Sequence, residues 1–351
     1  MMGIRIEALD NSLFCGQLSK ILDAGVGYLN AFKILHGQIE NRPLKAAAEA
    51  VISSLEAGDG ITEAMENSGY FDPCLIACVK KADEKNRLSD CLNDFMLIYK
   101  NEDRRRRLIG RGVYFPLFIT ALVVLFVFVM MAVLYPRFIG MFDGIDVEMP
   151  PLTVWMYEVS RFLENNMIVI LLSFFALMVI LNIYRNSGTG RLRLSKYLFT
   201  NSPFRKIQKR VVYSSFSENM AELLKYDYKR AEALRILADL YKRDYYFAAI
   251  LESAADECEE SNLLLSTALE ESGFFSEMYL ELVSLGEEMG NLIECLNNNH
   301  ELNLEEAERL ALKKMNTREP VVFFVTAFVL ITVIISLVQP LLRLFEAVSR
   351  I

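Results

Sequence analysis

Three stretches of the chain, residues 113–134, 167–184 and 321–339, contain no Asp, Glu, Lys, Arg or His. A helix needs about 20 apolar residues to cross a hydrocarbon core about 30 Å thick. Backbone polar groups in lipid must be satisfied within the segment, which leaves the helix as the solution for runs of this kind. The expectation is therefore three transmembrane helices. Their lack of ionisable side chains argues against a pump or transporter, whose ion pathways use charges within the membrane.

Basic residues near the ends of the runs set their direction. Arg104-Arg105-Arg106-Arg107 and Arg111 precede the first run, and Lys313, Lys314 and Arg318 precede the third. Eight bases and no acid lie between Arg185 and Arg210, after the second. All three clusters face the cytoplasm if the N-terminus is cytoplasmic and the C-terminus external. Tyr135–Asn166 carries two Arg against five acids and faces outward. The expected division is a first cytoplasmic helical domain at 1–112, transmembrane helix 1 at 113–134, an external loop at 135–166 and transmembrane helix 2 at 167–184. A second cytoplasmic helical domain follows at 185–320, then transmembrane helix 3 at 321–339 and a short external tail at 340–351. Residues 1–10 lack the pattern of a signal peptide, so insertion is expected to use the internal spans.

The two cytoplasmic segments resemble each other. Phe14, Leu18, Leu22, Ala31 and Leu35 meet Phe216, Met220, Leu224, Ala233 and Leu237 at a shift of 202. Thr62–Phe71 meets Ser266–Phe275, and Leu88, Cys91 and Leu92 meet Leu292, Cys295 and Leu296, at a shift of 204. Pro116 and Pro136 meet Pro320 and Pro340 at the same shift, so the repeating unit is a soluble domain with its following span. Apolar residues recur at three- and four-residue steps, which is the helical period. The fold class expected is an all-α membrane protein with two repeated helical-bundle domains and three transmembrane helices.

Two groups of residues are candidate contact sites. In Gly286-Glu287-Glu288-Met289-Gly290-Asn291-Leu292, the glycines at 286 and 290 allow a turn or close helix approach, and Glu287 suits a backbone donor near a helix start. Domain packing and partner contact are both open for Gly286, Glu287, Gly290 and Leu292. From Asp244 to Glu308 there are 17 acids and no Lys or Arg. Asp256, Glu257, Glu259 and Glu260 within it are either a docking surface for a basic partner or a solvated face. This acidic surface argues against nucleic-acid binding.

Nothing marks an enzyme. There is no phosphate-binding Gly-x-x-x-x-Gly-Lys-Ser/Thr loop and no recognisable nucleophile or zinc-protease constellation, so no catalytic, cofactor or metal site is expected. The six cysteines lie outside the outward segment and read as reduced thiols.

The chain resembles the inner-membrane platform protein of type II secretion systems and type IV pili, the secretion F / pilus C family. The resemblance rests on the paired domains, Gly286–Leu292, the Ala24-Gly25-Val26 turn and Gly58-Asp59-Gly60-Ile61-Thr62-Glu63-Ala64. It also rests on Tyr135–Phe142 followed by Met149–Thr153. The departures are Ala82 and Asn86, where the family has glycines, and Lys225-Tyr226-Asp227, where an Ala-Gly turn is common. The resemblance implies a multi-pass protein of the bacterial inner (cytoplasmic) membrane that couples a hexameric assembly ATPase to assembly of pilin-like filaments. Its implied partners are that ATPase, other inner-membrane assembly proteins, pilin-like subunits, membrane lipid and further copies of itself. A membrane receptor or scaffold is the alternative, with a transporter behind it.

Overall fold

The computed structural model describes residues 8–109, 115–140, 151–186, 205–242, 244–260 and 263–349, together with 193, 196, 197 and 199–201. Among these residues there are helices and turns and no strand. Six helices come first: α1 Ala8–Asp23, α2 Tyr28–His36, α3 Arg42–Ala57, α4 Ile61–Ser68, α5 Pro73–Glu84 and α6 Leu88–Ile109. α7 (Phe115–Val129) runs through a π turn at Met130–Leu134 into α8 (Tyr135–Gly140), and α9 is Pro151–Asn186. A second set follows: α10 Arg205–Lys225, α11 Arg230–Leu240, α12 Tyr245–Glu260, α13 Leu265–Glu271, α14 Glu277–Glu288 and α15 Leu292–Ser349. The starts of α2 to α6 recur at those of α11 to α15 with an offset of 202 to 204 residues.

Local chemistry sets these boundaries. Asn41 caps α3 by accepting the Leu44 N–H at 3.3 Å, and Asp72 caps α5 by accepting that of Leu75 at 2.9 Å, each with a proline in the first turn. The turns of the two sets match in backbone even where the residues differ. Gly25 (φ 79°) corresponds to Asp227 (φ 61°), Gly69 (66°) to Gly273 (59°), and Asn86 (55°) to Gly290 (70°). Asn and Asp tolerate this left-handed region better than other side chains. The departures at Asn86 and Asp227 thus change the residue and keep the turn. Gly290→Asn should accordingly cost well under about 1 kcal/mol, whereas Gly290→Val should cost about 1–2 kcal/mol, read as a shift in the denaturation midpoint.

The described parts of Met1–Ile109 and Arg191–Leu310 pack as one compact unit. Its core joins Phe14, Phe32, Leu35, Leu75 and Leu92 of the first set with Phe216, Leu237, Phe247, Phe274 and Phe275 of the second. Phe14 meets the Phe32 and Phe71 rings at 5.8 Å, and Phe216 meets Phe275 at 5.4 Å.

The described parts of Gly110–Gly190 and Ala311–Ile351 form the second unit. Met131, Tyr135, Met156 and Val333 cluster within it. Around them the Ser160 hydroxyl donates to the Met131 carbonyl at 2.6 Å, that of Thr153 to the Ser336 carbonyl at 3.1 Å, and that of Ser336 to Tyr135 Oη at 3.0 Å. Among the described residues no single helix is long and apolar enough to cross a membrane. Thr153–Ile170 and Leu172–Ile180, bent by 45°, meet that requirement together, and Ala121–Arg137 and Thr326–Ser336 are shorter apolar helices.

Helix boundaries differ from those expected in three places, the first of them α8 at Tyr135–Gly140, inside the segment expected to be a loop. α9 begins at Pro151, inside the segment expected to be a loop, and α15 continues past Gln339 to Ser349. Glu158, Arg161 and Glu164 interrupt the apolar run, yet Thr153, Met156 and Ser160 are buried at helical spacing. An amphipathic face therefore extends the helix beyond its continuous apolar part. The middle of the expected outward loop, 141–150, lies outside the described residues, as do Arg111 and Arg191.

Candidate functional site

The glycine motif closes the turn between α14 and α15. The Asn291 N–H donates to the Gly286 carbonyl at 3.0 Å, and Gly290 takes the left-handed conformation that reverses the chain. A Cβ on Gly286 would lie 2.6 Å from Cys295 Cβ and 3.2 Å from Leu292 Cα. The two helices approach through that missing side chain. Gly286→Ala should therefore destabilise by about 1–3 kcal/mol, the usual cost of overpacking, and the denaturation midpoint would fall. The first set has Ala82 here, fully buried.

Glu287 points inward, and its side chain is fully buried. Oε1 accepts the Leu265 N–H at 2.8 Å, and Oε2 accepts the Ser266 N–H at 2.9 Å and the Ser266 hydroxyl at 2.7 Å. Arg230 Nε stands 3.5 Å away. Leu264, the N-cap of α13, supplies no side-chain acceptor, so a carboxylate from α14 performs the capping. A backbone donor at a helix start was legible from the sequence; that the helix is α13 was not. In the first set Asp83 corresponds to Glu287 and accepts the Tyr28 hydroxyl at 2.6 Å.

The four candidate acids differ in surroundings. Asp256 and Glu259 both pair with Arg235, Asp256 at 3.1 Å. Burial and the neighbouring Glu271 carboxylate push the Glu257 carboxyl above its usual value. Glu260 is exposed. Elsewhere in the acidic stretch, Glu306 pairs with Arg210 at 2.9 Å and Glu308 with Arg104. The bases come from α6, α10 and α11, so the long unpaired run of acids in the sequence is partly neutralised in the fold. Among the described residues no group of three or more His, Cys, Asp or Glu is placed to hold a metal ion.

A second polar centre, which the sequence did not single out, joins the two helix sets. Arg105 of α6 is 3% exposed and donates to Glu218 of α10 at 2.6 Å, in a site that buries both. Asn101 donates to the other Glu218 oxygen at 2.6 Å, and His300 Nε2 lies 3.6 Å from it. Nearby, Lys225 pairs with Asp94, Lys85 pairs with Asp227, and the Tyr228 hydroxyl donates to the Ala77 carbonyl at 2.7 Å. The arginine run that signals topology in the sequence thus also supplies Arg104 and Arg105 to the fold.

Glu222 sits in the same joint. Burial first, and then the Asp94 carboxylate, push its carboxyl up to about 7, while Lys225 opposes the shift. The folded state therefore holds this proton more tightly than the unfolded chain. The stabilisation from this proton is complete below the unfolded carboxyl range and is lost as pH rises through about 7. The denaturation midpoint should fall between about pH 5 and about pH 7, and Glu222→Gln should flatten that fall.

The family model described as type II secretion system (T2SS), protein F, matches the chain twice, at residues 14–136 and 216–340. The chain belongs to this family. The two matches open on Phe14 and Phe216, the aromatic residues that occupy corresponding core positions on α1 and α10. Type IV pilus assembly protein PilC of Thermus thermophilus is 22% identical over 99% of this chain and 87% of its own length. Type II secretion system protein F of Vibrio cholerae is 19% identical over 98% of this chain and 85% of its own. Type IV pilus assembly protein TapC of Aeromonas hydrophila is 18% identical over 99% and 84%.

Proposed function

We propose that the chain is a multi-pass platform protein of the bacterial inner membrane, in a type II secretion or type IV pilus-like machine. In this reading it passes the movement of a cytoplasmic hexameric ATPase to pilin-like subunits, and it catalyses no reaction itself. The double family match carries the proposal, because it covers both helix sets and the apolar stretch after each. The exposure of Ile168, Phe175 and Phe328 supports a lipid environment, since large contiguous apolar surfaces mark membrane or protein contacts. A duplicated soluble unit suits a mechanical role: the buried joint at Arg105 and Glu218 makes the two helix sets one body that can carry a displacement.

Four described bases of the run after α9, Lys196, Arg205, Lys206 and Lys209, line a groove of about 420 Å³. We assign this run to anionic lipid at the cytoplasmic face. The ATPase contact is assigned to the acidic surface of the second set, with Asp256, Glu257, Glu259 and Glu260 in it. Reversing these four charges to Lys should abolish copurification of the ATPase from solubilised membranes while the protein stays membrane-bound. Undiminished copurification at low salt would remove this surface from the account.

A further inference from the structure

The basic groove beside α10 has a chemistry that the first helix set does not share. At the offset of 202 that relates Phe14 to Phe216, Arg205, Lys206 and Lys209 correspond to Gly3, Ile4 and Glu7. The bundle common to the two sets therefore does not require bases at these positions.

The groove is backed by a fixed aromatic cluster. The Phe274 ring meets that of Phe199 at 5.3 Å and that of Tyr246 at 6.1 Å, both edge to face. The Lys209 ammonium stands 4.8 Å from the centre of the Phe274 ring and donates to the Phe274 carbonyl at 2.9 Å. The Tyr213 hydroxyl donates to the same carbonyl at 2.6 Å. Lys209 is thus held in place with donors to spare, since an ammonium has three. Lys196 lies over the Tyr246 ring at 5.8 Å, and Arg205 is turned toward the Thr200 carbonyl by a 3.0 Å hydrogen bond.

Four bases line this cavity of about 420 Å³, and no acid among the described residues does. Glu306 lines the adjoining hollow, but Arg210 at 2.9 Å and Arg309 at 3.6 Å flank it. Burial and the Arg205 guanidinium push the Lys209 ammonium below its usual value, the direction set where like charges gather without a counter-ion. A concave site lined by cations and backed by aromatic surface suits an anion with an apolar body. Its charge favours a phosphate monoester, which carries about −1.5 to −2 at neutral pH and three acceptor oxygens. A diester offers a single charge and fewer free oxygens.

We propose that this groove is a binding site for a phosphate monoester, and that it takes the headgroup of one phosphatidic acid in preference to diester headgroups of the same membrane. The proposal rests on the reading of α9 as a membrane segment, and Lys196 follows Asn186 of that helix by ten residues. Such a site differs from the general attraction of a basic run to anionic lipid in its stoichiometry and its choice of headgroup.

The full-length protein, purified in detergent micelles doped equally with phosphatidic acid and phosphatidylglycerol, is suited to native mass measurement. It should retain one phosphatidic acid per chain, in about tenfold excess over phosphatidylglycerol. Arg205→Gln with Lys206→Gln, both at exposed positions, should weaken that retention about 30-fold, the contribution of two bases at a membrane surface. Lys313→Gln with Lys314→Gln removes the same charge from the cluster ahead of the third apolar run and should leave retention unchanged. sn-Glycerol 3-phosphate, the same monoester without acyl chains, should not displace the lipid at equal concentration; displacement would overturn the assignment to lipid. Equal retention of the two lipids, or an equal loss in both double variants, would overturn the site. Membrane fractionation of the unmodified chain is scored separately. Lost headgroup preference in a membrane-bound protein removes the site and leaves the platform reading standing, whereas absence of the unmodified chain from membranes would overturn both.

Discussion

Arg105→Ala should lower the stability of the protein by about 3–5 kcal/mol, the usual cost of removing one partner from a buried ion pair. Arg105 is almost completely enclosed, and Glu218 opposite it is buried too. Without the guanidinium, the Glu218 carboxylate keeps only the Asn101 amide and the nearby His300 ring. A surface pair would cost at most about 1 kcal/mol, so the magnitude itself tests whether the joint is sealed from water. Arg105→Lys should recover only part of the loss, because a compact ammonium cannot replace the planar fork. The double replacement Arg105→Met with Glu218→Leu should lie near the unmodified protein, since well-packed apolar residues often substitute for a buried pair without loss. Denaturant unfolding in micelles, followed by circular dichroism, reads all three.

Glu287→Ala should have an effect of similar size, roughly 3 kcal/mol or more, for a different reason. Hydrogen bonds to a charged group contribute about 1.5–3 kcal/mol each, and a buried donor left unmade adds its own penalty. Glu287 accepts two backbone N–H groups and one hydroxyl at the start of α13. Its loss leaves α13 without a cap, so amide exchange at Leu265 and Ser266 should accelerate before the rest of the second set is affected. Glu287→Gln keeps one carbonyl acceptor but turns an amide N–H₂ toward donors, and should fall between the two. Unchanged exchange at Leu265 and Ser266, with only ATPase copurification reduced, would make Glu287 a contact residue instead.

Local features of the fold were the most legible in the sequence. Helical spacing and the repeated landmarks located the core: Phe14 and Phe216, or Leu88 and Leu292, recur at fixed offsets because each bundle needs the same inward side chains. The turns were legible as glycine and also as Asn86 and Asp227, since a left-handed backbone admits few residue types. What depends on tertiary pairing was hidden. The acidic stretch reads as free of bases because Arg104, Arg210, Arg230 and Arg235 arrive from other helices. Arg105 is one of four consecutive arginines, and nothing in the run distinguishes the buried one from the half-buried and exposed others. Glu287 could be read as a cap, while the helix it caps is fixed only when α14 folds against α13. The start of α9 was not legible as part of a span, because its first turns are amphipathic, with Thr153, Met156 and Ser160 buried and Glu158, Arg161 and Glu164 between them and the apolar run.

The central claim is that this protein links the assembly motor to the filament. Deleting the chain while the ATPase and the pilin-like subunits are still produced, and measuring filament assembly or secretion together with the ATPase bound to membranes, tests it most directly. The account predicts that assembly stops and that the ATPase leaves the membrane fraction, with both restored by the intact chain. Filaments or secretion continuing at undiminished levels in its absence would contradict it.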